Sequence, residues 1–478
     1  MTKNKKTIHF VSLGCPKNRV DSEVMLGVAK KSGYSIVDDA GDADTIVVNT
    51  CGFIGEAKKE SIDTIFELSL LKEAGSLKKL VVAGCLSQRY STELEKQMPE
   101  VDHFLGSSDM LKLAEVLGGK KAERMLVGNP ADWVIRASDP RVLTGPRASA
   151  YVKIAEGCNR TCAFCTIPEF RGKQRSRTVD DIVREVEQLA DQGVVEVNLI
   201  SQDTIAYGRD LKATGSSAVS HEERAKLATL VKRIGEIPKI RWIRIFYLYP
   251  ETIDDELVEL IAHHPRVVRY VDMPLQHAAE TMLKRMRRGH GLDRQKRVVA
   301  NMREKIPGLT FRTAFIVGHP GETEAEFQEL CDFVEWARFE HVGVFRYSDE
   351  ESCRSFAMSE KVQKRTAATR NRKLMTLQRR IAREKNQLLV GQELDVLVEG
   401  ESDEHEFVMQ GRHAGQAPEI DGQVFLSGAE VSPGQIRRVR ISQASDYDLV
   451  GDVIDSAPNR ASQKKRVGLK VIGASEYR

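Results

Sequence analysis

At 478 residues the chain is long enough for about three domains, and 41% hydrophobic with 29% charged residues is the composition of a soluble globular protein. A formal net charge of +3 is close to balanced and points to no partner by itself. No apolar run approaches the roughly 20 residues that span a bilayer, and the start runs straight into a strand-like segment with no signal-peptide core. A cytoplasmic protein with no membrane partner is therefore expected, its eight cysteines serving as thiols for metal rather than as disulfides.

Residues 1–130 read as a first domain. Strand-like runs at 7–13, 43–49 and 80–83 alternate with helical patterns at 20–32, 54–74 and 93–98, as in a parallel sheet with helices on its faces. Just past each run stands a cysteine: Cys15, Cys51 and Cys85. Ligands of such sheets gather at the carboxyl ends of the strands, so thiols 36 and 34 residues apart are predicted to converge. A lone free thiol is more often a small buried apolar residue. Three at matching topological positions point instead to a [4Fe–4S] cluster with one iron left open. Gly14 and Gly84 suit a tight backbone approach at that place.

A linker rich in Pro, Gly and Arg at 137–148 leads into a second domain, 145–385. Six strand-like runs, at 151–155, 195–200, 241–248, 267–271, 309–317 and 342–347, are each paired with a helical segment and predict an open (β/α)6 barrel of TIM-like build. The loop after the first run carries Cys158, Cys162 and Cys165. Three thiols in eight residues cannot all pair with one another, and they are one short of a closed zinc site. A CxxxCxxC loop can hold three irons of a [4Fe–4S] cube and leave the fourth for a ligand that receives an electron. The alternative is a zinc knuckle that borrows a fourth ligand from elsewhere, though the spacing is irregular for zinc.

Within the same domain Arg244, Arg312 and Arg346 interrupt apolar strands. A guanidinium is costly to bury without an anion, so these are candidates to receive the carboxylate of a substrate or cofactor, unless they face outward or pair internally. His277, at the fourth strand's end, reads equally as a structural or a catalytic histidine. Cys331 and Cys353 lack partners at ligand spacing and are read as non-ligands. From Lys361 to Lys385 ten Lys/Arg stand against Glu384 alone. This predicts a long basic helix, either with a solvated face or touching RNA or an acidic face of another domain.

The last domain, 388–455, has short β-like runs at 393–398, 407–410, 423–426, 436–441 and 449–453 between turns. They predict a small five-stranded antiparallel β-barrel of the oligonucleotide-binding type. Between Gly391 and Asp455 fourteen Asp/Glu face four Lys/Arg, the wrong sign for a nucleic-acid platform. Such a surface would be steered toward a basic partner. The tail, 456–478, with six Lys/Arg and one Glu, reads as a disordered basic segment.

Several motifs carry a resemblance. The Cys158–Cys165 spacing resembles that of the radical S-adenosylmethionine enzymes, as do Ile167-Pro168, Arg171-Gly172 and Ser176-Arg177. Gly14-Cys15-Pro16-Lys17-Asn18 with Asp21-Ser22-Glu23, Asn49-Thr50-Cys51-Gly52-Phe53-Ile54 and Gly84-Cys85-Leu86 resemble the amino-terminal domain of the methylthiotransferases. Residues 417–422 and 446–449 resemble their TRAM domain. GCPKN, rather than the GCQMN typical of the tRNA-modifying branch, looks like the branch that modifies an aspartate of small-subunit ribosomal protein S12.

The resemblance implies two [4Fe–4S] clusters, one on Cys15, Cys51 and Cys85 and one on Cys158, Cys162 and Cys165. It implies that Gln202 and Asp203, after the second strand, hold the amino group of S-adenosylmethionine, and that the turn with Gly318, His319 and Glu322, after the fifth, contacts its adenosine. In the implied reaction one S-adenosylmethionine methylates a sulfur held on the first cluster. A second is cleaved reductively at the other cluster, and the 5′-deoxyadenosyl radical takes a β-hydrogen from the aspartate, which captures the methylthio group. A sulfur donor and a low-potential electron donor are implied partners, and nucleic acid is not the primary substrate. Two other readings are a tRNA methylthiotransferase acting on a modified adenosine, which calls for a basic last domain, and a non-catalytic RNA- or ribosome-binding protein stabilised by zinc at both sites.

Overall fold

The computed structural model describes residues 6–118, 122–211, 226–251, 253–402, 408–428, 430–455 and 470–472. Strands β1 (Thr7–Leu13), β2 (Ser35–Ile36), β3 (Thr45–Thr50), β4 (Lys79–Gly84), β5 (His103–Leu105) and β6 (Met125–Leu126) form a parallel sheet in the order β2-β1-β3-β4-β5-β6. β3 is buried along its whole length, and β1 and β4 along all but their first residue, as central strands covered on both faces must be. Their registers, Ser12 with Asn49 and Thr50 with Gly84, bring the three carboxyl ends level. Helix Pro16–Lys31 is buried continuously from Lys17 to Ala29. It packs on β1 and also against the next sheet, which is why it lacks a solvent face.

That sheet contains β7 (Ser149–Lys153), then, after the small hairpin-like pair β8 (Ala155–Glu156) and β9 (Arg175–Ser176), β10 (Glu196–Ile200), β11 (Trp242–Ile245), β12 (Val267–Asp272), β13 (Thr310–Val317) and β14 (His341–Arg346). It is parallel throughout, in the order β14-β13-β12-β11-β10-β7, and its edge strands do not pair. This is the open six-fold barrel read from the sequence. The linker is not a free tether. The Arg141 guanidinium donates to Glu23 at 2.6 Å and contacts Glu185 and the Tyr151 carbonyl, tying the helix of the first domain to the barrel.

The third unit comprises β15 (Glu393–Glu401), β16 (Met409–His413), β17 (Val424–Ser427), β18 (Ile436–Ala444) and β19 (Leu449–Val453), closed in the order β15-β16-β17-β19-β18. The expected all-antiparallel pairing needs correction at one seam, because β17 and β19 run parallel. Five strands closed into a ring cannot alternate direction all the way round, so one parallel pair is unavoidable. The tail is also not wholly irregular: β20 (Lys470–Ile472) pairs in parallel with β1 at Val11–Leu13, beyond the stretch that β2 covers. The remainder of 456–478 lies outside the described residues. The basic run is helix Lys364–Gln387, with Ala367, Arg370, Leu374, Gln378, Ile381 and Ala382 buried. Its arginines 379 and 383 pair with Asp446 of the third unit, so part of its charge meets an acidic domain of the same chain. No helix among the described residues is long and apolar enough to cross a membrane.

Two of the three arginines proposed for a carboxylate sit where the small barrel meets the large one. Arg244 is fully buried against Glu196 at 3.1 Å and donates to the Ala414 carbonyl, while Arg412 reaches the same Glu196 at 2.6 Å. Arg312 pairs with Asp272 at 3.2 Å and with Asp421 at 3.4 Å. Arg244 is therefore corrected to an interface residue, its anion supplied by the chain itself. Burial pushes the Glu196 carboxyl up, but Arg412 and then Arg244 bring it down from its ordinary 4.5 to about 2. A carboxyl depressed in the folded state adds stability above about pH 4.5 and loses it as the pH falls toward about 2. Glu196→Gln leaves Arg244 without its anion while Arg412 keeps Glu399 at 2.8 Å, and is expected to cost about 3–5 kcal/mol at pH 7. Urea unfolding at stepped pH should show that deficit narrowing as the medium is acidified through this window.

Candidate active site

The turns that carry Cys15, Cys51 and Cys85 lie side by side. Gly14 adopts φ +88°, and a Cβ there would stand 2.9 Å from the Cys51 Cβ and 3.2 Å from its Sγ. Gly84, at φ +99°, would run into the Asn49 side chain at 2.3 Å. Glycine is needed at both places because left-handed backbone and close approach coincide. Asn18 ties the three turns together: its amide donates to the Leu13 and Thr50 carbonyls, and its Oδ1 lies 3.5 Å from the Cys85 Sγ. Cys15 is exposed, Cys51 half-buried and Cys85 buried. Burial pushes the Cys51 thiol up, and the Cys85 thiol to about 11, so these sulfurs become thiolates only when a metal displaces the proton.

The second triad lies in the loop between β8 and β9, whose pairing of Ala155 with Ser176 and Glu156 with Arg175 pins the loop's base. Further in, the Ala163 amide donates to the Met286 carbonyl and the Ser355 amide to the Ala163 carbonyl. The Cys158 Sγ accepts from the Arg160 amide at 3.3 Å and the Cys162 Sγ from Arg288 at 3.5 Å. Around this loop the side chains are polar, buried and incompletely paired. Arg160 lies over the Tyr249 ring at 3.6 Å and Arg288 at 3.9 Å, and Arg160 donates to Asp203 at 2.6 Å and Glu251 at 3.1 Å. Arg160 Nη2, Gln174 Oε1, Gln202 Oε1, Asp203 Oδ1, Arg288 Nε and both ring nitrogens of His290 have no hydrogen-bond partner among the described residues. Buried polar atoms left in this state mark a place completed by a polar ligand. Burial and then Arg288 hold His290 down to about 3, so it is neutral.

A residue of the second loop reaches the first triad. Arg171, six positions after Cys165, donates to the Cys85 Sγ from Nε at 3.2 Å and from Nη2 at 3.1 Å. The same guanidinium binds Asn18 Oδ1 at 2.5 Å, Asp21 at 2.9 Å and Glu156 at 3.3 Å. Lys153 also binds Asp21, at 2.7 Å, and Glu156, and Gln202 donates to Glu156 at 2.5 Å. Burial opposes ionisation of Glu156, but Lys153 and then Arg171 hold it below the usual carboxylate range. Two cations and two anions thus bridge the triads with no net charge. The sequence reading missed this network, although Asp21, Arg171 and Lys153 all lie within motifs or strands adjoining the cysteines. What singles them out is that charged residues there sit among otherwise buried positions.

The other residues singled out from the sequence fall differently. Glu322 accepts from the Gly318 amide at 2.5 Å, from Arg370 at 2.8 Å and from His277 at 3.2 Å. It fastens the fifth strand's end to the basic helix, and both oxygens are engaged before any adenosine arrives. His277 Nδ1 accepts from the Ala279 amide at 3.1 Å, so Nε2–H faces Glu322 and the ring is structural. His319 bonds Ser355 at 2.8 Å, and burial lowers it to about 4. Arg346 is half-exposed and pairs with Glu56 on the first domain. Cys331 is a core residue of helix Glu324–Ala337, and Cys353 is buried near Cys165.

Three family models match the three units: "Uncharacterized protein family UPF0004" over residues 7–106, "Radical SAM superfamily" over 152–334 and "TRAM domain" over 390–454. A protein of Sorangium cellulosum named "Ribosomal protein uS12 methylthiotransferase RimO" is 66% identical over 482 residues, covering 98% of each chain. The chain belongs to the RimO family. A relative with that name from Myxococcus xanthus is 48% identical over 95% of this chain and 93% of its own. Among solved structures, the radical S-adenosylmethionine methyltransferase TsrM of Kitasatospora setae is similar at a TM-score of 0.49 and 15% identity, over 72% of this chain and 75% of that one.

A radical S-adenosylmethionine family uses an iron–sulfur cluster and that cofactor, and the residues present fit both. Among the described residues no three His, Cys, Asp or Glu side chains close on one point as they stand, which distinguishes neither zinc nor a cube. Thiols in threes, with arginine N–H groups on Cys85 and Cys162, are donors and outer hydrogen bonds suited to a cube. The unpartnered atoms around Tyr249 suit the charged end of a methionine. Arg171→Met, which removes one cation from the buried quartet, should lower stability by about 3–5 kcal/mol. Arg346→Ala, breaking an exposed pair, should cost about 1 kcal/mol or less. Denaturant midpoints of the two variants measure the contrast.

Proposed function

We propose that this protein attaches a methylthio group to the β-carbon of an aspartate of ribosomal protein uS12, with one [4Fe–4S] cluster on Cys158, Cys162 and Cys165 and another on Cys15, Cys51 and Cys85. The observation that carries the reading is Arg171: it leaves the loop of one triad and hydrogen-bonds a thiol of the other. The names of the relatives favour a ribosomal protein over tRNA or a purely structural metal site.

When bound, the clusters and S-adenosylmethionine supply one-electron chemistry that can break an unactivated C–H bond, beyond the reach of side-chain acids and bases. The chain's own work is binding, orientation and exclusion of water. Gln202 and Asp203, with Arg160 and Arg288 over Tyr249, hold the polar end of S-adenosylmethionine. The Gly318 turn shapes the neighbouring wall, with Glu322 positioning it rather than touching the nucleoside. Lys153, Asp21, Glu156 and Arg171 keep the two domains in one relative placement, so that both triads border a common space. A sulfur donor and a low-potential electron donor act as further partners.

Anaerobic turnover with iron, sulfide, S-adenosylmethionine and a reductant, followed by mass spectrometry of S12 and of bulk tRNA, tests the reading. A methylthio adduct on an S12 aspartate is expected. Cys162→Ala should abolish 5′-deoxyadenosine formation and the adduct together. Cys15→Ala should lose the adduct while 5′-deoxyadenosine still forms. An adduct on tRNA alone, or zinc in place of iron with no cofactor cleavage, would sink the proposal.

A further inference from the structure

Lys17 stands two positions after Cys15, in the first turn of helix Pro16–Lys31, and is only 8% exposed. Its ammonium lies 3.2 Å from the centroid of the Tyr247 ring and makes no hydrogen bond or ion pair with a described residue. The strongest opposing charge on it is that of Cys15, two positions earlier, and the carboxylates whose charges reach it are already engaged. Asp272 accepts from Arg312 at 3.2 Å and from the Tyr247 amide at 3.1 Å. Glu156 is held by Lys153, Arg171 and Gln202. A buried ammonium without an anion is unfavourable, and an aromatic face offsets only part of the cost.

Tyr247 supplies a second, independent observation. Its φ is +60°, a left-handed conformation that bulky residues rarely adopt. The strain is held in place by its amide on Asp272 and by its carbonyl, which accepts from the Thr204 amide at 3.3 Å. Strain of this kind persists where the surroundings over-determine it, and it concentrates where ligands are clamped. A ring forced under a cation with no hydrogen-bonded carboxylate among the described residues, beside the exposed Cys15, makes a seat for a carboxylate.

We propose that Lys17, carried on the face of Tyr247, receives the carboxylate of the side chain that is modified and so selects an aspartate over an uncharged side chain. The assignment rests on the methylthiotransferase reading. With the carboxylate on Nζ, the β-carbon one bond away is turned to the space beside Cys15. Arg244 and Arg312 are poorer seats because internal carboxylates already neutralise them.

The test uses the full-length enzyme with both clusters loaded, S12, and S12 in which the modified aspartate is replaced by asparagine. Binding is measured anaerobically by calorimetry, without reductant. The unmodified enzyme should bind the aspartate form tighter by on the order of 10- to 100-fold. Lys17→Met should erase that preference and Lys17→Arg should retain most of it, with iron content and the paramagnetic signals of both clusters unchanged. A readout on the unmutated enzyme covers the case in which Lys17→Met fails to hold iron. Labelling of Lys17 by an amine-reactive reagent, followed by peptide mass spectrometry, should be suppressed by S12 and not by its asparagine form. Equal affinity for the two forms, an undiminished preference in Lys17→Met, or equal labelling would overturn the assignment. If the unmutated enzyme leaves no methylthio adduct on S12 at all, the underlying reading fails rather than the role of Lys17.

Discussion

Lys153, Arg171, Asp21 and Glu156 meet almost entirely out of water, and the working arrangement of the molecule depends on their meeting. Burial of apolar surface holds each domain together but is non-directional and would tolerate small displacements of one domain on the other. Buried charges do not, because any docking that separates one from its partners leaves it uncompensated in a medium of low dielectric. The quartet draws Asp21 from the first domain and the other three from the barrel. It therefore turns two independently built cysteine triads into neighbours with one fixed relation. On the far side of the barrel Glu350, just after β14, is bound by Lys58 at 2.6 Å and Arg89 at 2.8 Å. The first domain is thus fastened near both edges of the open sheet.

The small β-barrel uses the same device. Its Arg412 and Asp421 meet Glu196, Arg312 and the Tyr270 hydroxyl of the large barrel, and Asp446 meets the basic helix. Several of the fourteen acids counted in the sequence are thus occupied within the chain. Glu393 and Asp395 pair with Arg438 or Arg440 in the barrel's own wall. Arg438 and Arg440 are already among the four bases counted, so only pairs made outside the unit, such as Asp421 with Arg312 and Asp446 with Arg379 and Arg383, reduce the surplus offered to a basic partner. Its sign still disfavours a phosphate backbone.

Lys17 and Arg171 divide two tasks that a single residue type might have been asked to perform. Arginine's planar fork can satisfy a thiol, an amide oxygen and two carboxylates at once, and Arg171 does so between the domains. Lysine is a compact point charge, and Lys17 sets it on an aromatic face. Arg244 and Arg312 have carboxylates of the chain within ion-pair distance, whereas Lys17 rests on a ring.

Local rules made much of this legible before any coordinates. Alternating apolar runs and helical periods marked the two parallel sheets, and short runs between turns marked the last barrel, because burial on both faces or on one imposes those patterns on neighbouring residues. Cysteine spacing marked Cys158, Cys162 and Cys165 as a candidate ligand set, since a loop's ligands lie within a few residues of one another. Placement just past three strand ends marked Cys15, Cys51 and Cys85 as another, because parallel strands end on a common face. The fates of Arg244, Arg312, Glu322 and His277 were not legible, nor was the parallel seam of the last barrel, nor the pairing of residues 470–472 with β1. Each depends on partners tens to hundreds of residues away. Sequence alone determined which chemistry the chain carries, because the thiol motifs are local. Only the tertiary structure decided which charged groups are neutralised internally and which remain for a substrate, because the compensation of a buried charge belongs to a contact and not to a residue.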